Sequence, residues 1–151
     1  MIDGLGGRKA RILLMEDNPA DVELLRRAFR SADLDCELSV IEDGAEALAF
    51  VRQEGKYAAA ELPDLVVLDL NLPKYDGLEV LEAMRASPAF AEAAVAVVSS
   101  SSSPREQEKA RQFRVERFIT KPSDLDEFLR IGVILKSLLE GPRSFGQPPG
   151  A

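Results

Sequence analysis

Three stretches, residues 11–15, 65–70 and 95–98, are apolar almost without a break, and each carries a hydrophilic residue at or just past its end. A strand with one wet face alternates polar and apolar residues, so continuous apolarity implies strands covered on both faces. Segments of helical period lie between these runs. Val22, Leu25 and Phe29 share one face, and Asn18 before Pro19 supplies an N-cap with a first-turn proline, which predicts a helix over about residues 19–32. Residues 36–41 alternate well enough for a second strand, and residues 44–52, with Ala47, Leu48 and Val51 on one face, read as a second helix. After an alanine-rich, unpatterned linker at 54–63, helices are expected at 77–85, 104–113 and 124–139, with a brief fifth strand at 117–120. Strands alternating with helices in this way point to a parallel sheet with helices on both faces and right-handed crossovers.

A chain of 151 residues has room for one sizeable core. Its residue types remove many chemistries. Cys36 is the single cysteine, which excludes an internal disulfide and multi-cysteine metal sites and suits a reducing compartment. There is no histidine, so Ser-His-Asp and Cys-His catalysis, His-ligated zinc and an internal phosphohistidine are excluded. The net charge of −7 repels phosphate backbones and anionic lipid surfaces, so neither nucleic acid nor membrane is an expected partner. The Gly-rich start has no apolar run of signal-peptide type, and a cytoplasmic location is expected.

In an open parallel sheet, ligands bind outside the carboxyl ends of the strands. Reading those ends gives Glu16 and Asp17 after the first strand, Asp69 in the third, Ser99 after the fourth and Lys121 after the fifth. Two carboxylates about 4 Å apart repel by roughly 4 kcal/mol at an effective dielectric near 20, so a cluster of three requires positive charge. An all-oxygen acidic set favours a hard cation, and few protein ligands completed by waters and a phosphoryl oxygen suit Mg²⁺ better than Ca²⁺. Asp69 is then a candidate nucleophile, able to take a phosphoryl group as an acyl phosphate while Mg²⁺, Lys121 and Ser99 neutralise the phosphoryl oxygens.

Over residues 10–140 these features resemble the receiver domains of two-component response regulators. Glu16, Asp17 and Asn18 look like that family's acid pair and the residue after it. Asp69, followed by Leu70, Asn71, Leu72 and Pro73 and then by Asp76 and Gly77, looks like the phosphoacceptor and its loop. Ser99 lies 30 residues on, at the switch hydroxyl position, and Lys121 with Pro122 lies 52 residues on, at the family's lysine and a proline that is usually cis. Phe118 stands at the aromatic switch position. The resemblance implies a flavodoxin-like, doubly wound, five-stranded parallel sheet of order 2-1-3-4-5 with five helices. It implies that Asp69 is phosphorylated, that Asp17, Asp69 and the backbone carbonyl of Asn71 hold Mg²⁺, and that Glu16 acts through water. The phosphoryl donor would be a histidine kinase or phosphotransfer protein, and the output a phosphorylation-dependent contact with a downstream protein. The phrases around Glu16, Asp69, Lys121 and Asp124 look most like stand-alone regulators, a group that includes partners of phytochrome kinases. Two departures stand out: the switch hydroxyl is the first of a five-serine run, and Arg114 and Val115 replace the usual Gly-Ala before the fifth strand.

Taken singly, these residues admit plain readings: a satisfied acid, a loop entering a cap, a solvated lysine, a turn-forming serine, a core phenylalanine. Their joint spacing is what points to a site. Two other functions remain open at this level. One is a phosphorylation-independent pseudo-receiver that serves as an interaction module. The other is an aspartyl-nucleophile phosphatase of haloacid dehalogenase type, against which stands Asn71, where those enzymes place a second aspartate. Asn71 and Ser101 flank the site and are expected to set the rate of self-dephosphorylation. Ile131, Val133, Ile134, Leu135, Leu138 and Leu139 cover more of the last helix than one core-facing stripe needs. Either that helix is tucked unusually deep, or the last two helices form a homodimer or partner interface. Flexible tails are expected at 1–9 and 141–151, with no further chain for a DNA-binding output domain.

Overall fold

The computed structural model describes residues 7–100 and 103–140. Of the expected tails, residues 1–6 and 141–151 lie outside the described residues. The order of elements is β1 (Ala10–Met15), α1 (Pro19–Ser31), β2 (Cys36–Ile41), α2 (Gly44–Val51), a 3-10 turn at Gly55–Tyr57, β3 (Leu65–Leu68), α3 (Gly77–Ala86), β4 (Val95–Ser99), α4 (Pro104–Gln112), β5 (Arg117–Thr120) and α5 (Leu125–Glu140). All four strand pairings are parallel, and the sheet order is β2-β1-β3-β4-β5. This is the order that the family resemblance implies.

The continuous apolar strands are explained by two cores, one on each face. Successive residues of a strand point to opposite sides. Leu13, Met15, Val66, Leu68, Val95 and Val97 face α2, α3 and α4, where Leu48, Val51, Leu81 and Met84 meet them. Ile12, Leu14, Leu65, Val67, Ala96 and Val98 face α1 and α5, where Leu25, Phe29, Phe128, Ile131 and Leu135 meet them. Each such side chain, fully buried, contributes about 1.5–3 kcal/mol, so both faces supply driving force.

Several boundaries differ from the sequence pattern. The third strand ends at Leu68 rather than residue 70, because the chain turns so that Leu70 can accept the Gly77 N–H at 2.8 Å. The unpatterned linker contains the 3-10 turn at Gly55–Tyr57, whose Tyr57 ring sits edge-on to Phe50 at 5.2 Å. A three-residue turn is too short to show a period. The Lys121–Pro122 peptide is trans, as are all peptides among the described residues, where the resemblance implied cis; trans is the lower-energy form for X–Pro by about 0.5–1 kcal/mol.

The serine run divides into different jobs. Ser99 closes β4 and is fully buried, whereas Ser103 caps α4, accepting the Glu106 N–H at 3.4 Å just ahead of Pro104. Ser101 and Ser102 lie outside the described residues. Arg114, in place of the family's glycine, adopts φ of 62°, a left-handed conformation uncommon for residues other than glycine. Arg85 of α3 holds that turn from below, donating to the carbonyls of Phe113 at 2.7 Å and Arg114 at 3.1 Å as well as to Phe90 at 3.0 Å and Ala93 at 2.9 Å. The departure before β5 is thus accommodated by a side chain on another helix.

Of the six residues that crowd the C-terminal part of α5, Ile131, Leu135 and Leu139 are buried, Ile134 and Leu138 are half-buried, and Val133 is 60% exposed. The helix sits deep because Gly132 lies directly on α1. A Cβ there would be 2.1 Å from the Ala28 carbonyl oxygen.

Candidate functional site

Glu16 follows β1 at once, its N–H donating to the Ile41 carbonyl at 2.9 Å and its side chain buried at the end of the sheet. Asn18 caps α1 through its side chain, which accepts the Ala20 N–H at 2.9 Å, while its own N–H donates to Glu16 Oε2 at 3.1 Å. The helix start and the acid are therefore fixed together. Asp69 stands one residue past β3, 4% exposed, with its N–H still donating to the Met15 carbonyl at 3.0 Å. Gly77 opens α3 against this segment, where a Cβ would lie 2.5 Å from Leu70 Cα and 2.7 Å from the Asp69 carbonyl oxygen. Only glycine permits so close an approach.

Lys121 arrives from β5, its N–H donating to the Ser99 carbonyl at 2.8 Å. Its ammonium donates to three carboxylates, Glu16 Oε1 at 2.6 Å, Asp21 Oδ2 at 2.7 Å and Asp69 Oδ2 at 2.7 Å. The other oxygen of Asp69 accepts the Asn71 N–H at 2.8 Å and the Ser99 hydroxyl at 3.3 Å. The Asn71 side-chain amide in turn donates to the Ser99 and Ser100 hydroxyls at 3.4 and 3.5 Å.

Charge and burial oppose one another here. Burial pushes the Glu16 carboxyl up to about 7, with the neighbouring Asp69 adding to the rise and Lys121 pulling it down. Burial works against the Asp69 carboxylate too, but Lys121 and the Asn71 N–H outweigh it and hold the group below the usual carboxylate range. For Lys121 the cost of burial is overcome by Asp21, Asp69 and Glu16, which keep the ammonium firmly protonated.

The structure thus brings together Glu16, Asp69, Ser99 and Lys121, as their spacing predicts. Asp17 lies at the exposed rim, and Asn71 is exposed beside Asp69. Phe118 is half-buried and packs, as Phe113 and Val115 do, against the core on the α2, α3 and α4 face of the sheet. Asp21 is a member of the cluster that the strand ends do not reveal, because it belongs to the first turn of α1, where an acid is already explained by the helix dipole. Its one visible signal is position, one helical turn beyond Asp17.

Among the described residues no three acidic side chains surround an open point ready for a cation, since the Lys121 ammonium occupies the place where they converge. The donor chemistry nevertheless fits a divalent ion. Three carboxylates share one ammonium, and Asp17 at the rim adds a further negative charge. All the donors are oxygen, which matches a hard cation. The cleft of about 310 Å³ that runs along β1 and β2, lined by Leu13, Ser39, Phe50 and Tyr57, includes none of these groups.

Comparison with known proteins bears on the family and the fold. The chain is 34% identical over 120 residues to the response regulator Rcp1 of Synechocystis sp., covering 80% of this chain and 82% of that one. The phosphorylated cyanobacterial phytochrome response regulator RcpA superposes with a TM-score of 0.81 at 36% identity, covering 87% of this chain and 94% of its own. The Mn²⁺-bound form of Rcp1 gives 0.79 at 31% identity, over 87% and 96% of the two chains. These structures share the flavodoxin-like fold of order 2-1-3-4-5. With the response regulator receiver domain model matching residues 12–131 and relatives aligned along most of both chains, this chain belongs to the response regulator receiver domain family.

Proposed function

We propose that the chain is a single-domain response regulator that takes a phosphoryl group onto Asp69 from a phosphohistidine of a histidine kinase or phosphotransfer protein. The observation that carries this reading is the buried Asp69 carboxylate held between Lys121 at 2.7 Å and Ser99 at 3.3 Å at the carboxyl end of the sheet. In the transfer the phosphorus–nitrogen bond breaks as a phosphorus–oxygen bond to Asp69 forms, and the imidazole nitrogen keeps the electron pair. None of these 151 residues is a histidine, so the phosphohistidine donor lies outside this sequence. Asp17, Asp69 and the Asn71 carbonyl would hold Mg²⁺ directly and Glu16 through water, and the ion would supply charge neutralisation at the phosphoryl oxygens.

Lys121 and Ser99 then each bond a phosphoryl oxygen. That draws the segment after β4 inward and biases Phe118 toward a buried rotamer, so that the signal emerges on α4, β5 and α5. Residues 10–140 form the receiver unit. It turns over no separate substrate, works in the cytoplasm and delivers its output to a downstream protein. The likeness to Rcp1 and RcpA supports a phytochrome-type kinase as donor. Val133 and Leu125, exposed on α5, support a homodimer through the last two helices; light scattering at micromolar concentration should give twice the chain mass, and a monomer mass counts against it.

The reading is tested by intact-protein mass after incubation with Mg²⁺ and acetyl phosphate. Wild type is expected to gain one phosphoryl group and Asp69→Ala none. No adduct on wild type, together with no binding of beryllofluoride, would favour a phosphorylation-independent interaction module.

A further inference from the structure

Lys121 has three ammonium protons, and each is already committed to a carboxylate. Two of those acids, Glu16 and Asp69, sit at strand ends and have their other oxygens held by backbone N–H groups, those of Asn18 and Asn71. The third, Asp21, reaches in from a helix, and its side chain is 21% exposed where that of Glu16 is 1%. The lysine is thus saturated before any phosphoryl group arrives. A phosphoryl oxygen can bond it only by displacing a carboxylate.

Glu16 is the poorest candidate for displacement, because a carboxylate this deeply buried and left unpaired is costly. On phosphorylation Asp69 exchanges its carboxylate charge for an acyl phosphate, and its contact with Lys121 passes to the phosphoryl group. Asp21 is left as the competing anion, close to the same ammonium and partly wetted. Its charge both draws Lys121 away from a phosphoryl oxygen and repels the phosphoryl anion directly.

We propose that Asp21 is a positioning residue that competes with the phosphoryl group for the Lys121 ammonium, and so lowers the affinity of the site for phosphoryl-like anions. The inference rests on Asp69 being the phosphoacceptor. It assigns to the first turn of α1 a control over how readily the site is occupied, separate from the acids at the strand ends. The resting state keeps Lys121 aimed at Asp69, and the phosphorylated state is reached against this tether.

The test is equilibrium binding of beryllofluoride at saturating Mg²⁺, followed by fluorine NMR, with a thermal melt of each metal-free variant alongside. Asp21→Asn keeps the shape and removes the charge. It is expected to bind beryllofluoride more tightly by roughly three- to tenfold, the scale of one partly screened charge. Asp21→Ser, as a second neutral variant, should move in the same direction, and Asp21→Glu should stay near wild type. A merely structural role predicts the opposite, weaker binding together with a lower melting temperature. Neutral variants that bind as wild type does, or more weakly, overturn the proposal while leaving the Asp69 reading intact, provided Asp69→Ala abolishes binding. If wild type binds no better than Asp69→Ala, the Asp69 reading falls and this inference falls with it.

Discussion

Replacing Lys121 by alanine is expected to destabilise the protein by about 3 kcal/mol, although the residue lies at the functional end of the sheet, where changes often stabilise. Its ammonium is the shared partner of Glu16, Asp21 and Asp69, at 2.6 to 2.7 Å from each. Breaking a buried ion pair by removing one partner costs about 3–5 kcal/mol, since the remaining charge is left without compensation. The lower end applies here, because Asp21 is partly wetted. Urea unfolding at neutral pH, with Mg²⁺ removed by chelation, should show a midpoint well below that of wild type. A loss under about 1 kcal/mol would mean that the three carboxylates find other partners. Acetyl phosphate should load the variant far more slowly, since the phosphoryl oxygens lose a cation. Arginine is not expected to restore the site, because a guanidinium spreads its donors in one plane over three nitrogens and cannot serve three carboxylates gathered around a single point as an ammonium does.

Gly132→Ala should cost a similar amount, about 3 kcal/mol, for a reason unconnected with charge. The added Cβ would stand 2.1 Å from the Ala28 carbonyl oxygen and 2.6 Å from its carbon. Both are backbone atoms that cannot rotate away, so α1 and α5 must separate. Separation loosens Leu25, Phe29, Ile131 and Leu135, which fill the face between the two helices and the sheet. Overpacking in cores costs about 1–3 kcal/mol, and the upper end fits a clash with the backbone of α1. For a domain of this size that is roughly 6–12 °C in melting temperature, measurable by calorimetry. Alanine favours helix over glycine by about 1 kcal/mol, so an exposed position would show the opposite sign. A melting temperature equal to or above that of wild type would place α1 and α5 further apart than described.

Both variants probe contacts that pattern alone does not contain. The strands at 36–41 and 117–120 match Cys36–Ile41 and Arg117–Thr120 to the residue, because their ends are marked by turn-forming residues and by the change of period. The third strand is two residues shorter than its apolar run, since Leu70 is buried for a different reason, in the loop that meets Gly77. The end of apolar character and the end of pairing are different physical events. Glu16, Asp69, Ser99 and Lys121 were legible as a site because a parallel sheet brings the carboxyl ends of its strands together whatever the side chains do. Asp21 was not legible. An acid in the first helical turn already has a local explanation, and nothing in the order of residues says that it also reaches a lysine 100 positions away.

By itself, then, the order of residues determined the alternation of strands and helices, the two-sided burial of the sheet and the set of groups at its carboxyl edge. Those properties follow from periodicity and from the direction of strands, which are local. The tertiary structure alone decided that one ammonium serves Glu16, Asp21 and Asp69, that Asp17 is left at the rim, and that Gly132 sets the depth of α5. These depend on distances between segments 52 to 105 residues apart, fixed to a few tenths of an ångström by packing. Hydrogen bonds weaken and steric contacts turn repulsive over that range, so no local pattern encodes them.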